Sequence, residues 1–257
     1  VLDKAKAQGE RLPPRRRAEL AYLDAVLMDD RGARRKALSD LVRFSPADAG
    51  LLRLLAAEET AAGDFGGAAD HYRKACSLDP ADPVGWNQLG YAEARRKNLA
   101  AAAAALQEYV RLAPGEANPL DSLGDVHYFL GSFADAEKHY LAAYEKDPRF
   151  LGGATLYKAA RARLMTGDIA GADGLFRRYF EARSAAGDVL AGYVRAQWLY
   201  LTGRRREGVE AMQKLASGKE GASEAALLAK AQLAAWALGE GDRRTALELS
   251  SQALELG

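Results

Sequence analysis

Residues 121–140 hold many side chains that could do chemistry. The stretch contains three aspartates, one glutamate and two histidines, namely Asp121, Asp125, His127, Asp135, Glu137 and His139. Carboxylate oxygens and imidazole nitrogens ligate metal ions, and they also transfer protons as general acids and bases. Whether these groups can act together depends on the secondary structure that positions them. The periodicity of the surrounding sequence therefore decides the interpretation.

The sequence repeats itself with a period of 34 residues. Residues 49–82, 83–116 and 117–150 align without a gap. In this frame the recurring residues are Leu52, Trp86 and Leu120 at position 4, Leu55, Leu89 and Leu123 at position 7, Ala56, Gly90 and Gly124 at position 8, Ala68, Ala102 and Ala136 at position 20, Tyr72, Leu106 and Tyr140 at position 24, and Pro80, Pro114 and Pro148 at position 32. Self-similarity of this kind is typical of stacked supersecondary units.

Each repeat has the pattern of a helix, a turn and a second helix. Positions 4, 7, 8 and 11 share one face of a first helix, and positions 20, 24 and 27 share one face of a second. Gly63 and Gly131 predict the turn between them, and Asp64 and Ser132 are suitable to cap the second helix. In the middle repeat, which lacks this glycine, we expect Asn98 to tolerate the left-handed conformation. Proline at position 32 ends the second helix.

The pattern continues beyond the regular repeats. Later repeats start at Gly153, Val189 and Leu227, so the steps are 36, 36 and 38 residues. Longer second helices that end near Gly187 and Gly218 would account for these wider steps.

We therefore predict an all-α protein, a right-handed α-solenoid of about seven helix–turn–helix repeats. Residues 1–14 are interpreted as a leading segment and residues 15–257 as a single solenoid. Within it, residues 15–48 form a degenerate repeat, residues 49–150 three regular repeats, and residues 153–257 three longer, divergent repeats. The first helices are expected to line a concave groove.

The Trp/Leu, Leu-Gly, Ala, Tyr and Pro positions of residues 49–150 resemble those of the tetratricopeptide repeat family, and in particular arrays of bacterial proteins. The resemblance implies protein–protein recognition, usually of a peptide in the concave groove. Some relatives hold a peptide carboxylate with lysine at position 5 and asparagine at position 9. Here those positions hold Arg53 and Ala57, Asn87 and Tyr91, and Asp121 and Asp125, so that clamp is not reproduced.

Placed in this frame, the polar residues of the opening stretch diverge. Asp121 and Asp125, four residues apart, are predicted to face the groove. His127 occupies a packing position. Asp135, Glu137 and His139 are predicted to face outward or sideways on the second helix. We therefore predict neither a metal site nor catalytic residues. No phosphate-binding loop or nucleophile elbow occurs in the sequence, and "GDFGG" at 63–67 lacks the partner motifs of a kinase.

The predicted groove carries five tyrosines and one phenylalanine among polar residues. Positions 2, 5, 9, 12 and 13 of the first helices give Arg53, Asn87, Tyr91, Arg95, Asn118, Asp121, Asp125, Tyr128, Phe129, Tyr157, Arg161, Tyr193, Gln197 and Tyr200. Large amphipathic side chains are typical of binding surfaces. The alternative is that these aromatic residues pack between neighbouring first helices. The mixture of arginine and aspartate suggests a partner with both polar and apolar groups.

Composition excludes several classes of partner. The formal net charge is +1, and the basic clusters are dispersed, so we predict no nucleic acid partner. The single cysteine, Cys76, excludes an internal disulfide and a cysteine-based zinc site. No apolar run is long enough to span a bilayer, so we predict no membrane insertion. We also predict no cofactor. We expect a soluble protein and favour the cytoplasm over the periplasm. The chain begins with Val1, which fits a mature form or a piece of a longer protein.

The leading functional hypothesis is a non-catalytic scaffold that binds a protein or extended peptide in the groove. One alternative is an accessory or sensory region of a larger bacterial signalling protein. Another is a homo-oligomer formed through an end of the solenoid, since repeat arrays need their ends covered. An enzyme is the reading that the sequence favours least.

Overall fold

The computed structural model describes residues 11–217 and 224–254, and within these ranges all regular secondary structure is helical. The fourteen α-helices are α1 (Pro14–Leu27), α2 (Arg31–Phe44), α3 (Ala49–Ala61), α4 (Phe65–Leu78), α5 (Pro83–Arg95), α6 (Leu99–Leu112), α7 (Asn118–Phe129), α8 (Phe133–Lys146), α9 (Ala154–Met165), α10 (Ile169–Ala185), α11 (Ala191–Leu201), α12 (Arg205–Ala216), α13 (Glu224–Gly239) and α14 (Arg243–Leu254). The predicted all-α fold class is confirmed.

The chain divides into two compact units, Val1–Pro148 and Arg149–Gly257. The first contains helices α1 to α8 and the second contains α9 to α14. Within each unit the helices pack as consecutive pairs, from α1 with α2 to α13 with α14, as the helix–turn–helix prediction requires. A 3₁₀ turn, Phe150–Gly153, lies in the connection between α8 and α9. A single solenoid over residues 15–257 stays a prediction.

Side-chain caps fix where several helices begin. Asp64 accepts a hydrogen bond from the backbone N–H of Gly67 at 3.0 Å, which confirms its predicted role at the start of α4. Asp30, Asp48, Asp82 and Asp168 cap other helices in the same way. The prediction for Ser132 was wrong, because its side chain makes no capping bond to α8.

The turn of the middle regular repeat differs from its prediction by one residue. Lys97 takes the left-handed conformation, with φ 60°, in the place where Gly63 and Gly131 have φ 80° and 82°. Asn98 has φ −92°, and its side chain accepts from the N–H of Ala101 at 3.4 Å. The expectation for Asn98 was wrong because the residue caps α6, and an N-cap residue has a non-helical backbone with a negative φ.

The wider steps of the second unit have more than one origin. Helix α10 has 17 residues, and Gly187, with φ 73°, follows its end as predicted. Helix α12 has only 12 residues, so the prediction of a longer second helix was wrong there. Gly218, its predicted end, lies outside the described residues.

Small residues let the two helices of a repeat approach closely. Position 20 is fully buried in all three regular repeats, at Ala68, Ala102 and Ala136. A Cβ atom added at Gly124 would lie 2.6 Å from the ring of Tyr140, and one added at Gly90 would lie 2.6 Å from Leu106. Position 8 therefore packs directly on position 24. None of the described helices has the length and apolar character needed to span a bilayer.

Candidate functional site

We call the outward surface of α3, α5 and α7 the first-helix face; it carries the predicted groove residues from Arg53 to Phe129. On it, Asp125 joins two successive repeats. The hydroxyl of Tyr91 on α5 donates to Asp125 Oδ2 at 3.1 Å, and the hydroxyl of Tyr140 on α8 donates to Oδ1 at 2.8 Å. Burial raises the pKa of both tyrosines, and the negative charge of Asp125 raises it further. Both therefore stay protonated and act as donors.

The two aspartates do not lie open in a groove as the sequence suggested. Asp125 is half-buried between its two tyrosine donors, and Asp121 is only 4% exposed. Asp121 also has interactions within the chain. Burial of Asp121 contradicts its predicted exposure to the groove, whereas Asp125 stays half-buried and is held by tyrosines of two neighbouring helices. The first-helix face consequently offers fewer accessible carboxylate oxygens to a partner than its sequence implies.

Three more residues of the first-helix face contact neighbouring helices. Arg53 forms an ion pair with Asp82, which caps α5. Asn118 donates from Nδ2 to the Tyr109 hydroxyl at 2.7 Å. The Tyr128 ring meets the Phe133 ring edge-on, with centroids 5.3 Å apart.

Asn87, which shares this face, is half-buried, and its Oδ1 is buried without a hydrogen-bond partner among the described residues. Part of this surface therefore packs and part stays accessible, and ligand binding on the accessible part stays a prediction.

The accessible part centres on an arginine between two aromatic rings. The Arg95 guanidinium lies 5.1 Å from the centroid of Phe129 and 5.9 Å from that of Phe65. Both distances fit a cation–π contact. Arg95 is exposed, Phe129 is 49% exposed, and Arg95 forms no ion pair with any described residue. This Phe65–Arg95–Phe129 cluster spans successive repeats and offers a cation beside apolar surface.

Phe65 was not predicted here, because it starts the second helix of its repeat and the groove positions were drawn from first helices.

In the second unit, Tyr157 does not face outward. Its ring stacks on Tyr179 at 5.4 Å and meets Phe176 and Trp198 edge-on, each at 6.1 Å. The packing alternative therefore holds for Tyr157. Arg161 is exposed and interacts within the chain.

The remaining groove residues of the second unit contact α13. The Gln197 amide donates to Gln232 Oε1 at 2.8 Å, and the Tyr193 hydroxyl donates to the same atom at 3.2 Å. The Tyr200 ring stacks on Trp236 with centroids 4.0 Å apart, and its hydroxyl donates to Glu240 at 3.1 Å.

The sequence did not predict these α13 residues, because positions 5 and 9 of the last repeat fall on Ala231 and Ala235, which carry no signal.

The histidines of the opening stretch come together, contrary to prediction. His127 and His139 stack with ring centroids 5.1 Å apart, and His127 Nδ1 lies 4.0 Å from Asp135 Oδ2. The error arose because position 11 of a first helix packs on position 23 of the second. The same two positions join Glu59 and His71 at 2.8 Å in an earlier repeat. Burial, followed by the charge of His127, lowers the pKa of His139.

The described residues contain no group of three or more histidine, cysteine or acidic side chains placed to hold a metal ion. Cys76 is buried, and burial raises the pKa of its thiol to about 11, so it is a poor nucleophile. What the first-helix face offers is a cation, aromatic surface and hydrogen-bonding groups, which is the chemistry of recognition.

Residues 48–92 match the sequence model of the tetratricopeptide repeat family. A search of curated proteins finds no significant match. Among solved structures, a tetratricopeptide repeat protein from Parabacteroides merdae is similar over 95% of this chain and 93% of its own, with 15% identity and a TM-score of 0.64.

A crystal structure of the MamA protein is similar over 68% of this chain and 95% of its own, with 19% identity and a TM-score of 0.59. MamA from Desulfovibrio magneticus gives 16% identity over 68% of this chain and 97% of its own, with a TM-score of 0.57.

Tetratricopeptide repeat proteins are generally scaffolds for protein interaction. Residues 48–92 therefore carry a tetratricopeptide repeat, and the described residues have the fold of tetratricopeptide repeat proteins.

Proposed function

We propose that the protein is a non-catalytic scaffold that binds a protein or extended peptide on the first-helix face. The observation that carries the proposal is the Phe65–Arg95–Phe129 cluster. Its guanidinium is exposed and has no carboxylate partner in the described ranges, and its Phe129 ring is half accessible. A planar cation between apolar rings suits a ligand carboxylate next to an apolar side chain.

The charge balance of the first-helix face favours an acidic segment. Asp121 is buried, and both oxygens of Asp125 already accept from the Tyr91 and Tyr140 hydroxyls, so neither carboxylate is well placed to take up a cation of a ligand. Arg95 is left as the exposed cation of this face without an ion pair among the described residues. A ligand with an acidic residue beside an aromatic or branched aliphatic one fits better than a ligand of mixed charge.

Selection from a random peptide library displayed on phage tests the proposal. We expect the selected peptides to combine acidic and apolar residues. Their affinity, measured by fluorescence polarisation, should fall about tenfold, or ~1.4 kcal/mol, in the variant Arg95→Glu. Phe129→Ala should have an effect of similar size.

Matched controls exist in the first unit. Phe44 on α2 is 48% exposed, close to the 49% of Phe129, and Lys74 on α4 is an exposed cation. Phe44→Ala and Lys74→Glu should leave the affinity unchanged. Equal losses in the control and the test variants would contradict the proposal.

A second candidate function is self-association through α14. Leu247 and Leu254 lie two turns apart on one face of this helix and are 70% and 83% exposed. Light scattering of the wild type and of the double variant Leu247→Ser/Leu254→Ser tests it. The wild type should gain mass with concentration and the variant should not; a wild type that stays monomeric throughout the range rejects this candidate.

A further inference from the structure

A pocket of about 610 Å³ lies between α10 and α11 in the second unit. Its volume is in the range of sites that bind small organic groups. Its apolar wall is formed by Phe176, Phe180, Trp198 and Leu199. Phe176 and Trp198 stack on each other with centroids 4.5 Å apart and are only 5% and 2% exposed, so they form a rigid floor. The half-buried Phe180 and Leu199 supply the accessible apolar surface.

One stripe of α10 forms the opposite wall. Ala170, Asp173, Gly174, Arg177 and Glu181 recur at helical spacing and line the pocket together. Gly174 leaves the centre of this stripe open, because a Cβ atom added there would meet no atom within 4 Å. Glycine lowers helix stability relative to alanine, and no close helix contact accounts for it at this site.

The charges at the pocket do not cancel. Asp173 accepts from the Trp198 indole N–H at 2.6 Å and from Arg204 at 2.7 Å, so its charge is neutralised. Arg177 and Arg195 form no ion pair with any residue of the described ranges, and Arg195 lies 5.5 Å from the centroid of Phe180. Glu181 adds one negative charge. Two guanidinium groups and one carboxylate, none of them in an ion pair among the described residues, therefore line the pocket and leave one positive charge in excess.

From this geometry we infer that the α10–α11 pocket is a second peptide-anchoring site, which takes one apolar side chain, preferably aromatic, from a partner segment with flanking acidic residues. The apolar group lies against Phe180 and Leu199, above the Phe176–Trp198 stack. The flanking carboxylates pair with Arg177 and Arg195, whose planar groups suit bidentate contacts. The inference does not depend on the function proposed for the first-helix face.

This pocket is separate from the predicted groove surface of the second unit. On α11, Tyr193, Gln197 and Tyr200 lie on the side that contacts α13, whereas Arg195 and Leu199 lie on the opposite side of the helix at 100° per residue. A peptide bound to one side therefore need not contact the other.

Three blocked tripeptides with the sequences Glu-Phe-Glu, Lys-Phe-Lys and Glu-Ala-Glu test the inference by NMR titration of the full chain. The indole N–H of Trp198 is a direct reporter, because it lies in the pocket wall. Its signal is assigned with Trp86→Phe and Trp236→Phe. We expect saturable shifts with Glu-Phe-Glu, and dissociation constants at least about tenfold higher for the other two peptides.

Variants of the pocket complete the test. Gly174→Leu fills the open space and should weaken Glu-Phe-Glu binding at least about tenfold, while Gly174→Ala should preserve it. The double variant Arg177→Glu/Arg195→Glu should abolish the preference for the acidic peptide, and it tests the site even if Gly174→Leu folds poorly. Arg95→Glu with Phe129→Ala should have no effect. Absence of saturable binding, equal binding of Lys-Phe-Lys, or wild-type affinity in Gly174→Leu would overturn the inference.

Discussion

The two units use the outward positions of their first helices differently. In the first unit, Tyr91 and Asp125 occupy the same repeat position, 34 residues apart, and meet in a hydrogen bond. In the second unit, the Tyr193 hydroxyl reaches Gln232, 39 residues away, and Tyr157 and Tyr200 stack on other aromatic rings. A strict period brings equal positions together and permits directional pairing. A longer step shifts the partner position, so Tyr193 pairs with a residue at a different position, and stacking, which tolerates such a shift, adds to the hydrogen bonds.

This difference has consequences for stability and binding. Hydrogen bonds between equal positions fix the register of α5 against α7, and they use the polar groups that a ligand could otherwise contact. Stacked rings hold α9, α10 and α11 of the second unit while leaving a pocket at the α10–α11 contact. The contact of α5 with α7 thus presents a surface, and the contact of α10 with α11 leaves a pocket; the first unit has a pocket of its own between α1 and α2.

The largest effect is expected from removing the aromatic wall of the second unit. Phe176 is 5% exposed and stacks on Trp198, so Phe176→Ala should destabilise the second unit by ~3–5 kcal/mol. Hydrogen exchange, measured for each unit separately, should show the loss in α9 to α12. The half-buried Phe180 provides the control, since Phe180→Ala should have a smaller effect. An equal loss in both variants would contradict the stacking argument.

A smaller loss is expected from the hydrogen-bonded contact of the first unit. Asp125→Ala leaves the Tyr91 and Tyr140 hydroxyls without their acceptor and should destabilise the first unit by ~1–3 kcal/mol. A double-mutant cycle with Tyr91→Phe measures the coupling across the two repeats by denaturant unfolding. Coupling of ~0.5 kcal/mol or more is expected, since the two residues are in direct contact. Additive effects would show that the contact does not join the repeats.

Two glycines inside helices should respond to alanine with opposite signs. Gly124→Ala places a Cβ atom against the Tyr140 ring and should destabilise the first unit by ~1–2 kcal/mol. Gly174→Ala meets open space, so it should stabilise the second unit by ~0.5–1 kcal/mol through helix propensity alone. Urea midpoints followed by unit-specific hydrogen exchange check both. A stabilised Gly124→Ala would mean that the close contact at position 8 is not tight.

The repeat frame predicted which residues pack inside a repeat, because that packing recurs with the sequence period. Gly90 against Leu106 and Gly124 against Tyr140 follow directly from small residues at position 8 and large ones at position 24. The frame also predicted that α10 ends before Gly187, since glycine after a helix adopts a left-handed conformation at low energy.

Contacts between different helices were harder to predict from sequence. Whether Asp125 is open or held by two tyrosines depends on the distance between α5, α7 and α8, and no single helix pattern reports that distance. Phe65 lies on a second helix and reaches Arg95 only through the packing of successive repeats. The α10–α11 pocket combines an open Gly174 with rings from two helices, and the sequence alone gave no sign of it.

The smallest effect expected concerns pH and the stacked histidines of α7 and α8. Burial, with the neighbouring His127 and Lys138, lowers the pKa of His139 from its ordinary value of 6.5, and Asp135 opposes this change. The unfolded chain therefore binds more protons than the folded one at mildly acidic pH. The contribution of this pair to the free energy of unfolding should be fully present above pH 6.5, the ordinary pKa of histidine. It should decrease as the pH falls from there through the lowered pKa of His139. Urea midpoints of wild type and His139→Gln between pH ~8 and ~5 measure it, and the variant should lose part of the decrease.

His71, at the same repeat position, bonds to Glu59 instead of a second imidazole, so His71→Gln should retain the decrease. An unchanged slope in His139→Gln would show that the imidazole pair does not set the acid response of the first unit.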